Sequence, residues 1–334
     1  MNKRQQALIL MAAVMLMTAV SASAQNRELD DATILNIQWE NDAFILDGQD
    51  KHYTNGLRFS FLRPDDRVPS WVLKSARAVP WFPKGGRIRP AWSLGQSLYT
   101  PEDIKTTELV EDDRPYAAWL YVGAGLVVEN GRILDVMEFS LGVVGPAALG
   151  EQVQSGIHEI IDSPLPQGWD NQLHNELTVQ ATWQRKWRQL HVGDHGFGVD
   201  VLPHIGGTLG NVHIYGAGGA TVRLGWDLPG DYGPPRIQPA LPGSEFFVPR
   251  RTFGGYFFVG AEGRVVLRDM FLDGNTFGHS HSVEKNTIVG DMQGGFALVY
   301  HGFRLAYTYV VRTKEFKNQN GNDAFGAFTI SFRI

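Results

Sequence analysis

Two parts of this sequence could do chemistry together: an early loop rich in side-chain oxygens, and a histidine far downstream of it. Between Glu40 and Arg58 the chain crowds Asn41, Asp42, Asp47, Asp50, Thr54 and Asn55 into one short stretch. Carboxylate, amide and hydroxyl oxygens at that density serve a polar turn, or they surround a hard cation such as Ca²⁺. The chain has no cysteine, so no thiolate competes for a softer metal. Downstream, His158 lies three residues after Ser155, four after Gln154 and four before Asp162, so in a helix these side chains share a surface. An imidazole titrates near neutral pH and can act as a general base. The same histidine could instead lie at the waterline of a helix packed by Leu149, Val153 and Ile157. A third reading makes Ser155 a nucleophile beside His158, although one helical turn leaves that pair little freedom to align for attack.

The elements that must position these groups are mostly strands. Residues 33–40 alternate, with Leu35, Ile37 and Trp39 against Asn36, Gln38 and Glu40, and residues 53–62 do the same. Further strand-like runs fall at 92–99, 116–128, 132–144, 172–187, 196–206, 211–226, 253–267, 287–300, 303–313 and 324–334. Asn130-Gly131 turns the clearest hairpin. Helices are expected only at 71–79, inside a proline-rich loop, and at 146–162, where Leu149, Val153, Ile157 and Ile161 recur every four residues. Pro164 and Pro166 end the second helix, and 227–249 is a proline-rich excursion.

Composition narrows the class. Lys3 and Arg4, the apolar run 7–20 and Ala22-Ser23-Ala24 read as a signal peptide, 1–24, leaving 25–334 as a single exported domain. Without Lys3 and Arg4 the formal charge of −5 becomes −7, so no nucleic-acid footprint is visible. Beyond the leader no run reaches the ~18 apolar residues of a membrane helix. The 38 glycines, 11% aromatic content and slightly negative mean hydropathy suit an all-β transmembrane barrel of about twelve antiparallel strands, with a polar lumen and alternate residues in lipid. One closed barrel is expected to act as a monomer. Several other residues fit blander roles. Trp71, Trp81, Trp169 and Trp187 suit an interfacial belt, Arg185, Lys186 and Arg188 suit lipid phosphates or solvent, and His279 and His281 suit an extended loop.

One ordered set of motifs is more specific. It runs through Asn41-Asp42, His52-Tyr-Thr-Asn-Gly56, Gln96-Ser-Leu-Tyr-Thr-Pro101, Asp112-Asp-Arg-Pro-Tyr-Ala-Ala118, Gly145-Pro146, Gly150-Glu-Gln-Val-Gln154 with His158, and Gly168-Trp-Asp-Asn-Gln172. In that order they resemble the LpxR-type lipid A 3′-O-deacylases of the Gram-negative outer membrane. The resemblance implies a twelve-stranded barrel with a calcium-dependent esterase site near its outer end, between the wall and a helix. It also implies lipid A of lipopolysaccharide as substrate, from which the 3′-linked acyloxyacyl group is removed. By the same resemblance His158 is the catalytic histidine, Asn41, Asp42 and Thr54 match site and calcium positions, and Lys105 stands near a site lysine. The rival expectations are an outer-membrane phospholipase with a Ser-His pair and a non-enzymatic porin-like barrel.

Overall fold

The computed structural model describes residues 32–45, 52–63, 68–78, 86–193, 196–237, 239 and 244–334. Asp47, Asp50, Trp81 and the expected signal peptide lie outside these described residues. The alternating runs form β1 (Ile34–Asn41), β2 (His52–Leu62), β3 (Arg87–Thr100), β4 (Ala117–Glu129), β5 (Ile133–Val144), β6 (Glu176–Trp187), β7 (Leu190–Val192), β8 (Phe197–Gly210), β9 (His213–Trp226), β10 (Phe253–Asp269), β11 (Ile288–Tyr300), β12 (Phe303–Arg312) and β13 (Asp323–Arg333). β7 is only a three-residue strip beside β8. Because β6 also pairs with β8, and β1 with β13, the other twelve strands close an antiparallel barrel. Closure satisfies the backbone and leaves no open edge, which is what a spanning sheet requires.

Alternation assigns the sides. Along β1, Ile34, Asn36, Gln38 and Glu40 are buried toward the lumen, while Leu35 faces out and is exposed. Val122, Phe139, Leu141, Val179 and Phe257 continue the exposed apolar exterior.

The lumen is filled. Residues 227–237 and 244–249 of the proline-rich connection after β9 fold back inside, where charges meet them at successive levels. Arg223 pairs with Asp200 at 2.5 Å and also with Asp231, whose carboxylate is 3.0 Å from Arg304. Arg58 lies 2.6 Å from Glu245, and Arg236 lies 2.8 Å from Glu40. Two of the basic residues expected at lipid phosphates or in solvent belong to this interior instead. Lys186 donates to the Tyr232 carbonyl at 2.7 Å and Arg188 to the Asp231 carbonyl at 2.6 Å, because both reach inward to the inserted segment. Arg185 pairs with Asp135 on the neighbouring strand at 3.0 Å.

Two helices lie outside the barrel. α1 (Ser70–Ala78) packs Val72 and Ala76 on Leu126, Val128 and Met137 of the wall. α2 (Gly150–Ile161) follows a 3-10 turn, Pro146–Ala148, and the left-handed Leu149 (φ 60°) that separates the two. The four-residue apolar stripe expected to bury α2 does so only in part: Val153, Ile157 and Ile161 are half-buried, Val153 against the wall cluster of Leu98 and Trp169, and Leu149 is exposed. The fully buried row is Gly150, Gln154 and His158. On a wall whose outer surface meets lipid, apolar side chains are stable facing away, so the helix can turn its polar row inward. α3 (Met270–Asp273) is a single turn after β10. The β1–β2 loop, 101–116, the α2 connection 145–175, 270–287 and 313–322 share one end of the barrel. α1, the 130–132 turn and the entry of the inserted segment share the other.

Candidate active site

Asn41 is the last residue of β1, and its Oδ1 caps the 3-10 turn Asp42–Phe44 by accepting the Ala43 N–H at 2.7 Å. Its Nδ2 donates to Asn55 Oδ1 at 3.3 Å, an oxygen that also accepts the Trp39 indole N–H at 2.9 Å. In register Asn41 lies between Asn55 and Gly326 on the outer face. Phe44 folds over β13, with its ring 4.8 Å from Trp39 and 5.1 Å from Phe328, and its carbonyl accepts the Tyr307 hydroxyl at 3.0 Å. Glycine at 326 permits this, because a Cβ there would fall 2.6 Å from that of Phe44.

Thr54 enters through a strand irregularity. The β2–β3 register slips between Tyr53 and Asn55, so Thr54 is the extra residue of a bulge, a common device for re-aiming a side chain. Its hydroxyl lies 2.7 Å from that of Thr100. The four candidates at the core of the reading are all enclosed: Asn41 is 9% exposed, Asp42 3%, Thr54 2% and His158 2%.

The helix side is built on close approach. A Cβ on Gly150 would lie 2.5 Å from both the Ala118 methyl and the Trp169 ring, so α2 touches the wall at its first residue. Gln96 donates to the Ala148 carbonyl at 2.7 Å, and Leu98, Ala118, Ala148 and Trp169 share one apolar cluster with Ile104 and Tyr116. Trp169 is therefore buried under α2, where its indole donates to Gln154 Oε1 at 2.9 Å, and it is not a belt residue. Leu98 of this cluster is the register partner of Asn55. Contacts thus run without a break from the Asn41 turn, across the outer wall, to the helical turn before His158.

His158 is held in a definite way. After α2 the left-handed Asp162 (φ 55°) reverses the chain, Ser163 N–H returns to the His158 carbonyl at 2.9 Å, and the Pro164 carbonyl comes 2.6 Å from His158 Nδ1. A carbonyl can only accept, so Nδ1 carries the hydrogen, and in the neutral ring Nε2 is the basic nitrogen.

Lys105 is placed differently. It is exposed on the 101–116 loop, with its backbone N–H donated to Asp103 at 2.9 Å. The preceding Ile104 joins the cluster under α2, and its carbonyl accepts Gln167 N–H at 2.8 Å, so Lys105 stands at the rim. Ser155 is half-buried on α2. His281 donates to the Asp113 carbonyl at 2.7 Å and His279 is exposed, as suits a loop.

Sequence reading passed over His52 as a structural pivot. Its left-handed backbone (φ 60°) turns the ring toward Asp323, 2.6 Å away, and Asp113, 3.5 Å away. Burial opposes ionisation of Asp113, but the His52 ring and the Glu102 and Arg114 amides outweigh it and hold the carboxyl below its ordinary value. Only the non-glycine residue at a turn hinted at this role. Asn55, Thr100 and Trp169 stand within the ordered motifs, but nothing in their spacing shows them as supports of the candidate site.

Among the described residues no three His, Cys, Asp or Glu side chains gather into a metal cluster. The candidate donors Asp42, Asn41 and Thr54 are a carboxylate, an amide and a hydroxyl, hard oxygens of the kind calcium takes. Because calcium needs about six to eight of them, the protein would complete only part of the shell. The set fits the ion by type.

The family model described as outer membrane protein LpxR matches residues 8–334. No curated protein matches the chain. Among solved structures, LpxR from Salmonella typhimurium is similar with 20% identity over 90% of this chain and 99% of that one, at a TM-score of 0.73, which shows a common fold. The β domain of the Bordetella autotransporter BrkA (11% identity, 90% and 98% covered, TM-score 0.43) and an outer membrane channel from Pseudomonas putida F1 (9%, 93% and 100%, TM-score 0.41) also match. With the family matched over nearly its whole length, the chain belongs to the LpxR family of outer membrane proteins.

Proposed function

We propose that this lipid A-modifying protein of the outer membrane is a calcium-dependent ester hydrolase that removes the 3′-linked acyloxyacyl group of lipid A. The observation that carries the reading is the His158 ring, almost fully buried on α2 with Nδ1–H donated to the Pro164 carbonyl, which leaves Nε2 as the basic nitrogen. His158 Nε2 takes a proton from water, and the resulting hydroxide adds to the ester carbonyl. The same imidazolium then returns the proton to the departing 3′-oxygen, so acid and base roles are filled by one residue. Asp42, Asn41 and Thr54 would hold Ca²⁺, which when bound polarises the carbonyl as a Lewis acid. Asn41 also fixes the turn that carries Asp42. Lys105, at the rim, meets a lipid A phosphate as a mobile point charge.

Mass spectrometry of lipid A from a host expressing the chain tests this. The wild type should produce lipid A lacking the 3′ acyloxyacyl mass. His158→Ala should lose roughly 10²-fold or more of that activity, the usual contribution of a positioned base. Asp42→Ala and a strong chelator should each abolish product, and excess Ca²⁺ should rescue chelation but not His158→Ala. Lys105→Ala should raise KM more than it lowers kcat, with partial recovery in Lys105→Arg. Ser155→Ala should stay active, since water is the nucleophile. Full activity in His158→Ala, or indifference to chelation, sinks the mechanism.

A further inference from the structure

α1 takes no part in the candidate site and lies at the opposite end of the barrel. Barrels of this kind carry their longer loops outward, so the α2 end faces outside and the α1 end faces the periplasm. On β4 the contrast is direct: Val122 is 55% exposed, whereas Leu126 and Val128, on the same outer face, are buried beneath α1. The helix reads Ser-Trp-Val-Leu-Lys-Ser-Ala-Arg-Ala, without an acidic residue. With Val72 and Ala76 turned to the wall, helical spacing puts Lys74 and Arg77 on the far side, and both are exposed. Trp71 is 69% exposed.

Between the helix and the wall runs a groove of about 970 Å³, lined by Trp71, Val72, Trp92, Leu126, Met137 and Phe139. At its edge the exposed Arg63 holds its guanidinium 5.9 Å from the Trp92 ring centre. An apolar slot in a lipid-facing wall suits a hydrocarbon chain. Cations and an exposed indole at the same level suit a headgroup region with negative charge.

We propose that α1 and this groove bind an anionic phospholipid of the periplasmic leaflet, with an acyl chain in the groove and the phosphate at its Arg63 edge, where Lys74 and Arg77 on the outer side of α1 add positive charge. The site is independent of the lipid A reaction and concerns the other leaflet. Full-length protein would be reconstituted in nanodiscs holding equal phosphatidylglycerol and phosphatidylethanolamine, and the retained lipid read by native mass spectrometry. The wild type should retain phosphatidylglycerol in preference. Combined Arg63→Glu, Lys74→Glu and Arg77→Glu should lower that retention about tenfold or more while the barrel keeps its heat-dependent gel mobility. Phosphatidylglycerol carrying a photoreactive group in its chain should label the Trp71 and Leu126 peptides above the rest of the wall. Equal retention of the two lipids, no effect of the charge reversals, or labelling spread evenly around the barrel would overturn the assignment.

Discussion

Asp113 shows how a single carboxylate outside the strands ties the loops to the barrel. Its Oδ2 accepts Glu102 N–H at 2.8 Å, its Oδ1 accepts Arg114 N–H at 2.7 Å, and the His52 ring approaches at 3.5 Å. These contacts depress its pKa in the fold. The stabilisation is therefore complete above the ordinary carboxylate value near 3.8 and fades as pH falls through the lower folded value. Hydrogen exchange at Glu102 and Arg114 should accelerate in acid, and Asp113→Asn should remove that acid-dependent part. Protection that stays constant across this range would show that the carboxylate does not hold the loop.

At the scale of elements, the candidate site depends on how closely two outer segments approach the wall. Gly150 lets α2 touch Ala118 and Trp169, and Gly326 lets the Asn41 turn lie across β13. Gly150→Val should push the helix and His158 outward, and Gly326→Val should lift Phe44 and Asp42, each overpacking a tight contact at about 1–3 kcal/mol. Lipid A deacylation should drop sharply in both, while heat-dependent gel mobility reports an intact barrel. The two should differ in one respect: added calcium should partly recover Gly326→Val, which would disturb a proposed calcium ligand, and not Gly150→Val, which would displace the proposed base. Normal turnover in Gly150→Val would detach α2 from the chemistry.

Over the whole molecule, the inserted segment links the interior to the site. Glu40 points into the lumen one residue before Asn41, and it accepts from Arg236 Nε and Nη2 at 2.8 and 3.1 Å and from Ile237 N–H at 3.0 Å. Both side chains are almost fully buried, so Arg236→Met leaves a carboxylate without its partner, at a cost of about 3–5 kcal/mol. Thermal unfolding in detergent should shift down accordingly, and adding Glu40→Gln should restore much of the loss, because the two changes are coupled. Additive losses would mean that the pair is not a unit. The packed lumen also bears on the porin alternative. Planar bilayers should show little current through the wild type, and a large steady conductance would restore that reading.

Most of the barrel was legible in the sequence because period-two alternation is a local signal, carried within each strand by neighbours such as Leu35 and Asn36. The ordered motifs likewise single out Asn41, Asp42, Thr54 and His158 as candidates, and the fold encloses all four. What alternation could not say was how α2 would lie. Its apolar repeat pointed to one buried face, yet that repeat is only half-buried and the fully buried row is Gly150, Gln154 and His158, because lipid outside the barrel removes the usual drive to hide residues such as Leu149. Nor could composition distinguish Lys186 and Arg188 at a lipid phosphate from the same residues gripping a segment threaded through the lumen. Local order was written in residue spacing. The partners of buried charges were decided only when distant segments such as Glu40 and Arg236 came together, because such contacts leave no periodic trace in either stretch of chain.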